Sequence, residues 1–433
     1  MSLVYAWAPD MVYGNSTYQN RTTAEMARSA GVATARYPAG MASYYNWEDP
    51  SGTMGKSTLD PEFTDEDRSP EHQWMSFDDY LNFCETAALR PLIGVNYNCQ
   101  DQAWAPPVAE SVARAVRQVR HALGRGFQGA AWYIGNEDSV TRVDNVERWA
   151  QHARAMKAED PTMKVFFNFN GLQPASLAKF LMDVGKDLVD GAEFHGKWPY
   201  GGNPDLPPAT YQEWLHEVPL LERKTMQTWR EKPAGLRLAA AEVGHFDLLL
   251  ANNEFGLGNP NRLVGFTRFT KSLVVTELSM EMYKGGYDVA AFWDNHDGGH
   301  SGHSDHMLMA TDEGPYRFNP SSIGFQMLAN AGGHTMLDVN TDEPRVHGFA
   351  ARSADGKAPY LQVFLINKLT EECVVRLKLH AGSAMLVEGE VLVDTADHWG
   401  ALHTLDVECD TESHMCSFTL PPVSFARITS ATK

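Results

Sequence analysis

The sequence is poor in cysteine, with five in 433 residues: Cys84, Cys99, Cys373, Cys409 and Cys416. This odd count carries no paired metal-ligand spacing, which argues against a disulfide framework or a zinc module. It leaves Cys409 and Cys416 as one short-range pair that could close a hairpin. Positive charge is also scarce. Lys and Arg number 36 against 55 Asp and Glu, a formal charge of −19. Such a field repels polyanions, so nucleic acid and anionic membranes are poor partners and a neutral ligand fits better. No apolar run approaches the roughly 20 residues that cross a bilayer. Met1-Ser-Leu-Val-Tyr-Ala-Trp7 lacks both the basic and the apolar region of a signal peptide. The expected location is secreted or periplasmic if a leader has been removed, and cytoplasmic if the chain is complete. There is no fixed-period repeat and no low-complexity tract.

What the sequence has is alternation. Short β-rich segments separated by helical patterns recur up to about residue 335, the signature of βα units around a parallel sheet. The strands expected are Leu3 to Trp7, Ala33 to Tyr37, Leu92 to Tyr97, Ala130 to Ile134, Val165 to Phe169, Gly191 to His195, Leu236 to Glu242 and Asp288 to Trp293. Thr22-x-x-Glu25 and Ser76-x-x-Asp79 read as capping boxes, and Pro107 opens a helix running to Gly124. From about Arg345 the helices stop and alternating strands follow, among them Tyr360 to Asn367 and Cys373 to Leu379. The expected architecture is a (β/α)8 TIM barrel over residues 1–335 and a small all-β sandwich over 336–433.

A barrel of this kind builds its site where the strands end. Trp132-Tyr-Ile-Gly-Asn136-Glu137 ends the expected fourth strand, and Leu238-Ala-Ala-Ala-Glu242-Val-Gly-His245 the seventh. Two carboxylates across one barrel mouth are what a retaining glycosidase needs, one protonated to assist the leaving group and one ionised to attack, about 5 to 5.5 Å apart. Strand six ends Glu193-Phe-His195-Gly-Lys-Trp198-Pro-Tyr200, where His195 and Tyr200 are candidate substrate contacts and Glu193 is expected to point the other way. His245 is a further candidate contact. Trp47, Trp104, Trp198 and Trp293 each lie at or just beyond a strand end, where flat rings can stack on sugars, although a single Trp is more often a core residue.

These segments resemble the clan of retaining glycosidases with an Asn-Glu acid/base on strand four and a Glu nucleophile on strand seven. The resemblance covers about residues 30 to 335. Arg36-Tyr-Pro-Ala39-Gly40 and Tyr45-Asn-Trp-Glu-Asp49 are similar to the strand-two motif of family 51 arabinofuranosidases, which usually have Gly where Ala39 stands. The resemblance implies Glu137 as general acid/base, Glu242 as nucleophile, Arg36 beside the nucleophile and Asn136 on the sugar's 2-hydroxyl. Arg36 could equally be a structural ion-pair partner inside the barrel. No cofactor is required. Residues 75–97 resemble both arabinofuranosidases and family 86 agarases and porphyranases, and 275–293 is closer to the latter. The leading substrate is therefore a red-algal β-galactan of agar or porphyran type, with an arabinofuranoside or other plant-wall polysaccharide second.

Two other classes remain. The loop from Asp294 to His306 holds four histidines among glycines and could ligate a metal, although barrel metal sites usually draw ligands from several strands. It is read as a substrate-contact or anion-binding loop, with no metal assigned. A catalytically silent carbohydrate-binding barrel is the third reading, and the paired glutamates argue against it.

Overall fold

Near-continuous burial on both faces of short strands is what a parallel sheet covered by helices demands, and the N-terminal strands have it. The structure, a computed structural model, describes residues 21–38, 42, 46–48, 76–97, 106–136, 143–168, 173–198, 209–216, 224–257, 263–292, 309–310, 317–329, 331–353, 360–379 and 385–430. After helix α1 (Arg21–Ser29) come β1 (Thr34–Tyr37), α2 (Phe77–Ala87), β2 (Arg90–Val95), α3 (Val108–Gly124), β3 (Ala131–Ile134), α4 (Val143–Glu159), β4 (Lys164–Asn168), α5 (Pro174–Val184) and β5 (Gly191–Trp198). A short insertion, β6 (Ala209–Thr210) and α6 (Tyr211–His216), leads to α7 (Lys224–Glu242) and β7 (Leu249–Leu257). Then follow β8 (Leu263–Val264), which pairs with β6, α8 (Arg268–Gly285) and β9 (Val289–Phe292).

Among the described residues, seven parallel strands form one sheet in the order β1-β2-β3-β4-β5-β7-β9. This is the strand succession of a (β/α)8 barrel. The expected first strand, Leu3 to Trp7, lies outside the described residues. Helix α2 begins where the sequence marks it. The Ser76 hydroxyl accepts from the Asp79 amide at 3.1 Å, and the Asp79 carboxylate accepts from the Ser76 amide at 3.2 Å, a reciprocal cap.

One expected strand is corrected. Leu236–Glu242 is the end of helix α7, and the strand follows it as β7. Alanine is the best helix former, and Leu236, Ala239 and Ala240 bury one helical face while Leu238 is 64% exposed. The true strand, Leu-Leu-Ala-Asn-Asn-Glu-Phe-Gly-Leu, carries three polar residues in its middle, yet everything after Leu249 is buried.

A hairpin of β10 (Met309–Ala310) and β11 (Arg317–Phe318) and helix α9 (Pro320–Ala329) precede the C-terminal strands. These are β12 (Thr335–Asp338), β13 (Val346–Arg352), β14 (Leu361–Asn367), β15 (Cys373–Lys378), β16 (Leu386–Val393), β17 (Ala401–Leu405), β18 (Glu408–Asp410), β19 (Met415–Leu420) and β20 (Ser424–Ser430). They form antiparallel sheets of order β12-β13-β14-β20-β16-β17 and β15-β19-β18. Cys409 and Cys416 face each other across β18 and β19 and are disulfide-bonded.

The alternation of β14 explains how the sandwich attaches. Val363 and Leu365 point into the sandwich core, while Phe364 and Ile366 join the barrel's core together with Phe349, Leu392 and Phe425. Helix α8, buried nearly all round although it carries Ser272, Thr276, Glu277 and Ser279, is the layer between them. A polar cluster is sealed in this seam. Glu277 of α8 lies 3.2 Å from Lys368 Nζ and 2.9 Å from His347 Nε2, and accepts from the Trp214 indole at 2.7 Å. Burial works against the Glu277 charge, but Lys368, His347 and Trp214 outweigh it and bring its carboxyl down to about 2.

Candidate active site

Side chains directed into a barrel lie at every second residue of a strand. The site is assembled from such positions on β1, β4, β5 and β7 and from Asn136, two residues past β3. Arg36, third in β1, is fully buried. Its Nη1 donates to Glu254 Oε1 at 2.7 Å and its Nη2 to Asn136 Oδ1 at 2.6 Å. The guanidinium lies 4.5 Å from the centre of the Tyr133 ring. Burial acts against its charge, but Tyr133, Glu254 and Glu193 outweigh that and raise its pKa. Tyr133 has room because Gly94 of β2 lies beneath it. A Cβ there would come 2.6 Å from the Tyr133 phenol and 2.8 Å from Pro38.

Glu254 is 5% exposed and is held on a second side by His195, whose Nδ1 lies 3.4 Å from Glu254 Oε2. Its position depends on an irregularity in β7. On one edge Phe194 pairs with Asn252 but His195 pairs with Glu254. On the other, Asn252 pairs with Ala290 and Phe255 with Phe292. Both neighbours thus record one extra residue in β7 at Asn253–Glu254. A bulge re-aims side chains that strict alternation would send to opposite faces. Here both reach the barrel interior: Asn253 donates to Glu193, and Glu254 meets Arg36 and His195.

Glu193 is fully buried, and its two oxygens accept amide hydrogens from Asn168 of β4, at 2.7 Å, and from Asn253. Its carboxyl is raised above the ordinary range by burial, which outweighs the pull of Arg36 and the hydrogen bonds from Asn168 and Asn253. The expectation that Glu193 points away from His195 is therefore corrected. Two residues apart on one strand share a face.

Several other sequence candidates lie elsewhere. Glu242 is exposed at the end of α7, away from Arg36 and His195. His245, in the following turn, places Nε2 2.7 Å from the Val189 carbonyl, just before β5 begins, at the end of the barrel opposite the site. Trp47 is a packing residue. Its indole donates to the Arg114 carbonyl at 3.1 Å, and its ring lies against Phe77 and His121 at 5.7 and 5.4 Å. Glu137, Tyr200, Trp293, Trp104, the Trp198 side chain and the Asp294 to His306 loop lie outside the described residues. Arg36, Asn136 and His195 are thus the candidates brought together, around Glu254, which the sequence reading missed. The available signal was Asn253-Glu254, a repeat of the Asn136-Glu137 pattern.

No protein-family model and no characterised protein sequence matches the chain. Solved structures do. An α-L-arabinofuranosidase from Thermotoga maritima superposes with a TM-score of 0.67 at 15% identity, covering 99% of this chain and 96% of its own. A family 51 α-L-arabinofuranosidase from Bifidobacterium longum gives 0.62 at 17%, covering 98% and 92%. A family 30 endoxylanase from Clostridium papyrosolvens gives 0.56 at 11%, covering 100% and 97%. The fold is that of the glycoside hydrolase (β/α)8 barrels with an appended β-sandwich. Among the described residues no helix is long and apolar enough to cross a membrane, and no group of three metal-ligating side chains is clustered.

Proposed function

We propose that the chain is a retaining O-glycoside hydrolase whose nucleophile is Glu254. The observation that carries this is the convergence of Arg36, itself held by Asn136, and of His195 on one buried glutamate inside the barrel. A guanidinium 2.7 Å away favours the carboxylate over the acid. An ionised, desolvated carboxylate in a cleft is equipped to attack the anomeric carbon. Glu137, next in sequence to Asn136, is proposed as the acid/base. It protonates the departing oxygen as Glu254 forms the glycosyl ester, then deprotonates the water that cleaves the ester, so the anomeric configuration is retained.

For the substrate, arabinofuranosidases among the matching structures and the Arg36-Tyr-Pro motif favour an arabinofuranoside of plant-wall polysaccharide. An agar- or porphyran-type galactan is the second reading, supported by residues 75–97. Residues 275–285 count little toward it, because in α8 they are buried in the seam with the sandwich. A screen of 4-nitrophenyl α-L-arabinofuranoside, arabinan, agarose and porphyran decides between them. Product release with retained configuration by NMR is expected. Binding without turnover on any of them leaves the silent barrel, and loss of turnover on chelation favours the metal hydrolase.

A further inference from the structure

Beneath the Arg36–Glu254 pair lies a second carboxyl group that the proposed chemistry does not use. Glu193 is fully buried, and the hydrogen-bond partners described for it are two asparagine amides. A buried carboxyl is costly, so its two contacts matter. Each begins a chain that ends at Glu254.

The first chain runs through Asn253. This is the residue at which β7 carries its extra position, and its amide donates to Glu193 Oε2. Glu254 is the next residue, so the direction in which it leaves the bulge is tied to the Asn253 side chain. The second runs through Asn168, whose Nδ2 donates one hydrogen to Glu193 Oε1 at 2.7 Å and lies 3.3 Å from His195 Nε2. An amide nitrogen can only donate, so His195 Nε2 accepts and its proton sits on Nδ1. That nitrogen faces Glu254 Oε2 at 3.4 Å.

We propose that Glu193 is a positioning residue: one carboxyl oxygen holds the Asn253 bulge and the other orients the Asn168 amide, so that together they aim Glu254 and set the His195 tautomer that faces it. The hydrogen-bond chain stands on the geometry alone. Its consequence for turnover rests on Glu254 being the nucleophile.

The test is Glu193→Gln, which keeps the shape but turns one acceptor into a donor, so that one of the two amides must turn over or detach. Histidine is labelled with ¹⁵N, and His195 is assigned by its loss in His195→Gln. The wild type should show a ring protonated on Nδ1, and Glu193→Gln should lose that state while its far-ultraviolet circular dichroism stays native. With 4-nitrophenyl α-L-arabinofuranoside or the polysaccharides above as probe, kcat should fall about 10- to 100-fold with KM within about twofold. An unchanged His195 spectrum, or an unchanged kcat in folded protein, overturns the proposal. If Glu193→Gln does not fold, Asn168→Ala tests the same link to His195 with the carboxyl intact, and the same two outcomes apply. Glu254→Ala is assayed alongside. If it remains active, the reading of the reaction fails while the tautomer result stands by itself. If it is inactive and Glu193→Gln turns over normally, the positioning role alone fails.

Discussion

At the scale of single residues the site is one cation serving more than one acid. Arg36 is buried against Glu254 and near Glu193. Removing one partner of a buried pair costs far more than the pair contributes, typically about 3–5 kcal/mol. Arg36→Met is therefore expected to lower stability by roughly that amount in urea unfolding. It should also move the acidic limb of kcat/KM to higher pH, because a carboxylate that loses its cation takes up a proton more readily. Glu254→Ala should reduce kcat by roughly 10⁶-fold, the order seen when a nucleophile is removed. Glu242→Gln, at an exposed helix end, should leave kcat unchanged and stability within about 0.5 kcal/mol.

At the scale of elements, the outcome depended on whether a neighbouring helix imitated the strand better than the strand itself. Strands β2, β3 and β9 were legible because they are mostly apolar, and β1, β4 and β5 because, although Arg36, Asn168, Glu193 and His195 point inside, helices opened by signals such as Ser76 and Pro107 alternate with them. Strand β7 was not. Asn252, Asn253 and Glu254 interrupt its hydrophobic run because they fill the barrel, while the alanine-rich end of α7 imitates an apolar strand. Arg36, Asn136 and His195 could be picked out because they sit at or just beyond legible strands. Glu254 was lost with its strand, and a one-residue bulge leaves no mark in a single sequence. The bulged arrangement needs a precise floor, which predicts a sensitivity at Gly94. Gly94→Ala would press a methyl into Tyr133, the ring on which Arg36 rests. A loss of about 1–3 kcal/mol is expected from such overpacking, with reduced kcat, and thermal unfolding with steady-state kinetics checks both.

At the scale of the whole molecule, barrel and sandwich share one core and one buried ionic cluster. The Glu277 carboxyl titrates lower in the folded protein than in the unfolded chain. Its stabilising contribution is therefore complete above the ordinary carboxylate value near 4.5 and is lost as pH falls through about 2. Lys368→Met should destabilise by about 3–5 kcal/mol at neutral pH, because it strands Glu277. The gap to wild type should narrow as pH drops below 4.5, which a series of melting temperatures across pH would record.

The most direct test of the central claim is the mass of the protein caught in mid-reaction. Incubation with a 2-deoxy-2-fluoro glycoside of the sugar chosen by the substrate screen should add one glycosyl group to the intact chain, and digestion should place it on the β7 peptide at Glu254. A label that fragmentation of that peptide places on Glu242 instead, or no label on an enzyme that turns over the parent sugar, would contradict the account.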